Sequence, residues 1–261
     1  MYEYCLLGKL CGLPEEEQLT RWQTMAKRFP ENASSYAEIC RILMSRNQFE
    51  EANQCMVTAR DRFPDNVVFY RRCVEVALQS ENWELAIQRW REALARFPDW
   101  TVAFAGLTSL LIQLKRYDEA DAVASEAVEK FPDTYDVHRG WLEIPKRRNE
   151  TDLWIERLQI ALSRFPQQTN IYLELVTAFD SQGRYADAQA LIDDAVSRFP
   201  ESKEFIRLLC RHYVETGHPG EALEEWKAFI RRNPDMVDGY LEAVSLLMNQ
   251  QKWLEAYAVL E

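Results

Sequence analysis

Glycine is scarce in this chain: there are 8 in 261 residues, where ordinary usage of about 7% corresponds to roughly 18. Glycine-rich loops that cradle phosphates therefore have little raw material. Histidine is rarer still, with only His138, His212 and His218. The six cysteines, Cys5, Cys11, Cys40, Cys55, Cys73 and Cys210, contain no Cys-x-x-Cys pair and share no spacing with histidine, which argues against a structural zinc site. Long apolar runs are missing too. The best is Leu110-Leu111-Ile112, far short of the ~20 residues that span a bilayer. From Met1 to Leu13 one lysine, Lys9, follows apolar residues instead of preceding them, the reverse of a secretory signal. The expectation is a cytoplasmic protein with reduced thiols. Positive charge is outnumbered, Lys+Arg 31 against Asp+Glu 42 for a net −11. That balance disfavours nucleic-acid and membrane partners.

The chain has ample material for a fold: 47% hydrophobic, 28% charged and 12% aromatic residues, too apolar for disorder. Its length alone allows one or two domains. Internal repetition decides more. Phe-Pro occurs at Phe29-Pro30, Phe63-Pro64, Phe97-Pro98, Phe131-Pro132, Phe165-Pro166 and Phe199-Pro200, and Asn233-Pro234 continues the same 34-residue step. Seven of the ten prolines lie on this grid, and Arg28, Arg62, Arg96, Lys130, Arg164, Arg198 and Arg232 precede the pairs.

Counting each repeat from the third residue after its proline, position 20 reads Ala52, Ala86, Ala120, Trp154, Ala188, Ala222 and Ala256. Position 27 reads Ala59, Ala93, Ala127, Ala161, Ala195 and Phe229, and position 4 reads Tyr36, Tyr70, Phe104, His138, Tyr172, Ile206 and Tyr240. Tyr172, Leu175, Val176 and Phe179 mark one face of a first helix; Tyr185, Ala188, Ile192 and Ala195 mark the facing stripe of a second. Small alanines let the two approach closely. Asn47, Asn149, Gly183 and Gly217 at position 15 can take the left-handed conformation of a helix end. The basic residue before Phe-Pro suits the negative helix end. Proline stops that helix, and a nearby aspartate, glutamate or serine is expected to cap the next.

Alanines, aromatics, proline and period together resemble the tetratricopeptide family. The resemblance covers almost the whole chain and implies an all-α, right-handed superhelical solenoid of about seven and a half helix pairs. The repeats are a degenerate 1–32, then 33–66, 67–100, 101–134, an irregular 135–168, 169–202 and 203–236, with 237–261 truncated. The second helix of the degenerate repeat is expected to start near Pro14, followed by Glu15, Glu16 and Glu17. At the other end, Trp253, Ala256 and Leu260 start a second helix without a polar cap. The chain therefore reads as a fragment of a longer protein, with self-association through the uncapped end as a further expectation.

In repeat 135–168, Pro145 is expected to interrupt the first helix, with His138 and Trp154 at positions normally aromatic and small. A 68-residue period underlies the 34: position 24 holds Trp22, Trp90, Leu158 and Trp226, alternating with Met56, Ala124 and Ile192. This balances core volume between neighbours. It also resembles arrays that precede transferase domains in some bacterial proteins.

No catalytic constellation is visible. The three histidines have no partner implied by spacing, and His212 reads as solvated or partly packed. Cys40, Cys73 and Cys210 fall on core positions and should be inert. Trp100, at a helix junction, is the tryptophan best placed to stack on a ligand. No metal or cofactor is expected, and the chain reads as a non-enzyme. The family resemblance implies that first helices line a groove for a protein or peptide partner. The candidate contacts there are Arg41, Arg71, Glu75, Arg139, Glu143, Arg207 and Arg211, a set that favours acidic segments. Arg71–Glu75 and Arg139–Glu143 can satisfy each other as i, i+4 pairs. Arg207 and Arg211 repel unless an acidic group intervenes. The lysine and asparagine clamp that some relatives use for chaperone C-termini is missing: Arg71-Arg72 are followed by Val102 and Gly106. Two rival functions stay open, a recognition region of a larger enzyme such as a bacterial transferase, and an RNA-processing scaffold. Acidic charge and the position-20 alanines argue against the second.

Overall fold

Each repeat carries two apolar stripes that a lone helical hairpin cannot bury, so burial demands neighbours. A computed structural model describes residues 12–259 and shows an all-α helical-repeat solenoid, with fifteen helices and no strand among those residues. α1 (Glu15–Arg28) belongs to the degenerate repeat, and α2 (Ala33–Ser45), α3 (Phe49–Arg62), α4 (Val67–Gln79), α5 (Trp83–Arg96), α6 (Thr101–Gln113) and α7 (Tyr117–Lys130) form the next three hairpins. α8 (Tyr135–Arg148), α9 (Thr151–Arg164), α10 (Thr169–Ser181), α11 (Tyr185–Arg198), α12 (Lys203–Glu215), α13 (Pro219–Arg232), α14 (Val237–Asn249) and α15 (Trp253–Ala258) follow. Cys5, Cys11, the first eleven residues of the degenerate repeat, and Leu260 and Glu261 lie outside the described residues.

The repeat grid reads as one array, but the helices group into two compact units, Met1–Ile144 and Pro145–Glu261. The division falls at the irregular proline. Contrary to expectation, Pro145 does not interrupt its helix: α8 runs from Tyr135 to Arg148 through it. The proline sits one turn from the helix end, so only one intrahelical donor is lost. Its own carbonyl still accepts the Glu150 N–H at 2.9 Å.

The two inter-helix turns have separate chemistry. At position 15, Asn47, Glu81, Lys115, Asn149, Gly183, Gly217 and Gln251 all take φ between 55° and 85°. The residue after each returns its N–H to position 11, as in Gln48 to Leu43, Asn82 to Ala77 and Arg116 to Leu111, each 2.9 Å. This is the left-handed helix stop that glycine or asparagine favours. At the Phe-Pro turn, the phenylalanine N–H closes on position 27 at 2.8 Å, as in Phe63 to Ala59 and Phe97 to Ala93. Its carbonyl then accepts from position 34, as in Asn66 to Phe63 at 3.0 Å, with proline at the turn's second residue.

Caps and ion pairs differ from the sequence expectation. Asparagine does the capping: Asn32 accepts from Ser35 N and Asn66 from Val68 N, each at 3.1 Å. Ser202 in the same place bonds Glu204 instead. The acids after proline pair with the basic residue one repeat on: Arg62 with Glu31 at 3.3 Å, Lys130 with Asp99 at 3.0 Å, and Arg96 with Asp65. These links are exposed and contribute at most about 1 kcal/mol each.

The alanines at positions 20 and 27 are fully buried, Ala52, Ala86, Ala93 and Ala161 among them. Large residues are matched by glycine. A Cβ added at Gly106 would stand 2.4 Å from Trp90 Cζ2, and one at Gly239 would stand 3.2 Å from Phe229 Cδ1, where phenylalanine occupies an alanine position. Trp100 is half-buried and packs edge-on against Trp90 at 5.8 Å and Phe97 at 6.3 Å, at the margin of the core.

Gly106→Ala should cost about 1–3 kcal/mol by overpacking. Trp90→Leu introduced into Gly106→Ala should recover part of that loss, read as favourable coupling in a denaturation double-mutant cycle. At position 15, Glu81→Gly and Lys115→Gly should each raise stability by about 0.5–1 kcal/mol by relieving left-handed strain. Lys115→Val should lower the melting temperature.

Candidate functional site

On the first helices, positions 2, 5, 9 and 13 face away from the second helices and stay open. In the N-terminal unit they expose Val68, Arg71, Val102, Ser109 and Gln113; in the C-terminal unit, Arg207, Arg211, Leu241 and Ser245. The candidate residues are divided between the two units. Arg41, Arg71, Glu75, Arg139 and Glu143 belong to the N-terminal unit, and Arg207 and Arg211 to the C-terminal one.

Most of these cations are already engaged. Arg71 Nε donates to Glu75 Oε1 at 3.0 Å, while Arg72 Nη1 takes Glu75 Oε2 at 2.7 Å. Arg41 Nε donates to Glu38 at 2.9 Å. Arg139 stands 3.9 Å from Asp136, one turn back, and Glu143 is half-buried and engaged. Arg207 takes its acid from the next repeat: Glu242 Oε1 accepts from Arg207 Nε at 2.8 Å. Lys203 pairs with Asp238 in the same sense and holds that carboxyl below the usual range by hydrogen bond and charge. Arg211, like Arg139, keeps only a loose contact, 3.9 Å to Glu215, with 57% of its side chain exposed. Between α4 and α8 lies α6, with no charged residue in Thr101–Gln113.

The helix pairs, their left-handed stops and their alanine contacts agree with the comparisons. Tetratricopeptide-repeat patterns match residues 74–135 and 181–235. The chain is a tetratricopeptide-repeat protein. No curated protein matches the sequence. Among solved structures, the chain is similar to a protein in the Naa15/Naa10 complex bound to HypK-THB, with TM-score 0.52 and 14% identity over 94% of this chain and 38% of that one. Yeast Tom70 gives TM-score 0.52 and 17% identity over 90% of this chain and 50% of that one. Pseudomonas aeruginosa pilF gives 0.51 and 18% over 82% and 96%. At these identities the likeness concerns the fold. This tetratricopeptide chain spans less than two thirds of the first and second of these chains.

Other side chains of this tetratricopeptide protein are placed more firmly. No group of three or more His, Cys, Asp or Glu among the described residues is arranged to hold a metal ion, and no described helix is long and apolar enough to cross a membrane. His138 fills its aromatic position fully buried, Nδ1 lying 3.1 Å from the Thr134 carbonyl. His212, expected at least partly solvated, is buried.

Cys40, Cys73 and Cys210 are buried and Cys55 half-buried, all as free thiols. Burial pushes Cys40, Cys55 and Cys210 up to about 12 and Cys73 to about 11. A thiol whose pKa is higher in the fold than in the open chain stabilises fully below about pH 9 and loses that contribution as pH rises towards 12. The melting temperature should therefore fall between pH 8 and 10.5. Cys40→Ala/Cys55→Ala/Cys73→Ala should flatten that slope, and an unchanged slope would show that the thiols do not cause it.

Proposed function

We propose that this chain is a non-catalytic scaffold that holds a partner polypeptide along its first-helix faces and favours acidic segments there. The supporting observation is Arg211, an exposed guanidinium on the open face of α12, held only at 3.9 Å by Glu215. A carboxylate can take it in a bidentate fork without breaking a short internal bond. Arg207 must first leave Glu242. The solved Naa15/Naa10 structure is itself a complex of a similar fold with other polypeptides, which is in keeping with a scaffold. Around Arg207 and Arg211, Leu241 and Val214 supply exposed apolar surface, so a segment mixing acidic and aliphatic residues fits best.

The test is fluorescence anisotropy of a labelled acidic-aliphatic peptide such as Ac-Glu-Leu-Asp-Glu-Leu-Asp-NH2. Arg211→Glu should weaken binding about tenfold, equivalent to about 1.4 kcal/mol. Glu242→Gln, which releases Arg207, should strengthen it about threefold. Affinity should fall with added salt. Equal affinities for all three proteins would sink the acidic-segment reading.

A further inference from the structure

The opposite side of the C-terminal unit carries a feature of different chemistry. There α11, the C-terminal half of α12 and the start of α13 meet. They leave a cleft of about 420 Å³ lined by Tyr185, Gln189, Asp193, His212, Tyr213, Thr216, His218 and Glu221, among others. That volume suits one small group or one long side chain.

His212 is out of place by the repeat's own logic. It stands at position 10, where the other repeats have Ile42, Val76, Leu110, Ile144, Ala178 and Leu246. It is only 5% exposed, lines the cleft, and lies 6.4 Å from the Tyr185 ring. Neither ring nitrogen has a hydrogen-bond partner among the described residues, and neither is among the fully buried unpaired polar atoms, so the imidazole is open to water or a ligand only by way of its accessible edge. A buried polar ring at an aliphatic core position is costly unless something satisfies it. Tyr185 is 55% exposed; at the same position Phe49, Trp83 and Tyr117 are half-buried, and Trp253 is exposed as well.

The surrounding charge has one sign. Asp193 accepts from Gln189 at 2.8 Å and pairs with no cation among the described residues; the same holds for Glu221. No lysine or arginine lines the cleft. The phenol of Tyr213 is raised by burial and then by the negative charges of Asp193, Glu225 and Glu221, so these carboxylates converge on it. The cleft lacks a metal-binding arrangement among its described side chains. What fits is an organic cation with several N–H donors and a flat face. A guanidinium can stack on Tyr185, donate to Asp193 and Glu221, and donate to the His212 nitrogen.

We propose that this cleft receives an arginine side chain presented by a partner polypeptide. It is a second docking point, on the second-helix side and with the charge preference opposite to that of the first-helix face. It does not depend on the acidic-segment reading above.

The three histidines make a simple NMR probe of the full chain. Titration with Ac-Gly-Arg-Gly-NH2 should shift the His212 ring signals saturably and leave His138 unmoved. The citrulline peptide, neutral but of the same shape, should bind at least about tenfold more weakly. Asp193→Asn and Glu221→Gln, both at exposed positions, should each weaken the arginine peptide about threefold to tenfold, while Arg211→Glu should change nothing. His212→Leu restores the aliphatic pattern. It should fold with a higher melting temperature and lose the peptide-induced shift of the Tyr185 ring. Arginine and citrulline peptides acting alike, or the Asp193 and Glu221 variants acting like wild type, overturn the proposal. So does micromolar Zn²⁺ that saturates His212 and His218 while the arginine peptide gives no shift, an outcome that reassigns the cleft to a metal.

Discussion

The phenylalanine before each grid proline is the contact on which the repeat depends. Its ring packs against the aromatic at position 4 of its own repeat: Tyr36 on Phe63 at 5.9 Å, Tyr70 on Phe97 at 5.0 Å, Phe104 on Phe131 at 5.9 Å and Tyr172 on Phe199 at 5.8 Å. In two repeats the same ring also meets position 3 of the next first helix, Phe63 on Phe69 and Phe199 on Phe205, both at 5.4 Å. Its N–H meanwhile ends the second helix, and its carbonyl starts the turn to the next one. One residue therefore joins helix termination, hairpin closure and stacking of neighbours. Such aromatic pairs contribute about 0.5–1.5 kcal/mol beyond the area they bury, and recurrence in four repeats multiplies the effect.

Fixed spacing at that contact forces volume to be conserved around it. Where position 27 changes from alanine to Phe229, Gly239 in the following helix gives up its side chain. Where position 24 becomes Trp90, Gly106 does the same one repeat later. At these two boundaries a large residue is matched by a small one, and volume is conserved across the repeat junction. Two of the few glycines in the chain serve that purpose, and two more, Gly183 and Gly217, supply left-handed helix stops.

Helix number, helix order and the buried alanines were legible in the sequence because the 34-residue grid repeats the same local physics. The left-handed stop was legible at Asn47, Asn149, Gly183 and Gly217. It was missed at Glu81, Lys115 and Gln251, whose residue types give no hint, although the shared position 15 was signal enough. Ion pairs were less legible. Arg62–Glu31 and Lys130–Asp99 join residues 31 apart, and Arg207–Glu242 joins residues 35 apart, separations that only stacked neighbours bring within reach. The burial of His212 was hidden because Arg211 beside it suggested solvent. Comparison with position 10 of the other repeats would have exposed it.

Those ion pairs also change what the net −11 means. On the first-helix side, acids are spent on neighbouring cations: Glu242 on Arg207, Asp238 on Lys203, and Glu75 on both Arg71 and Arg72. A face neutralised from within presents little field, and a ligand gains there only by finding the cation left loosely held. On the second-helix side of the C-terminal unit, Asp193 and Glu221 have no such neighbour. Surplus negative charge then collects where an aromatic ring and the His212 imidazole already stand. Periodic cores repeat the same helix pair from one step to the next. Their chemistry diverges through the few positions, such as 10, where one repeat departs from the rest, and departures of that kind are where a repeat protein can acquire specificity without disturbing its stack.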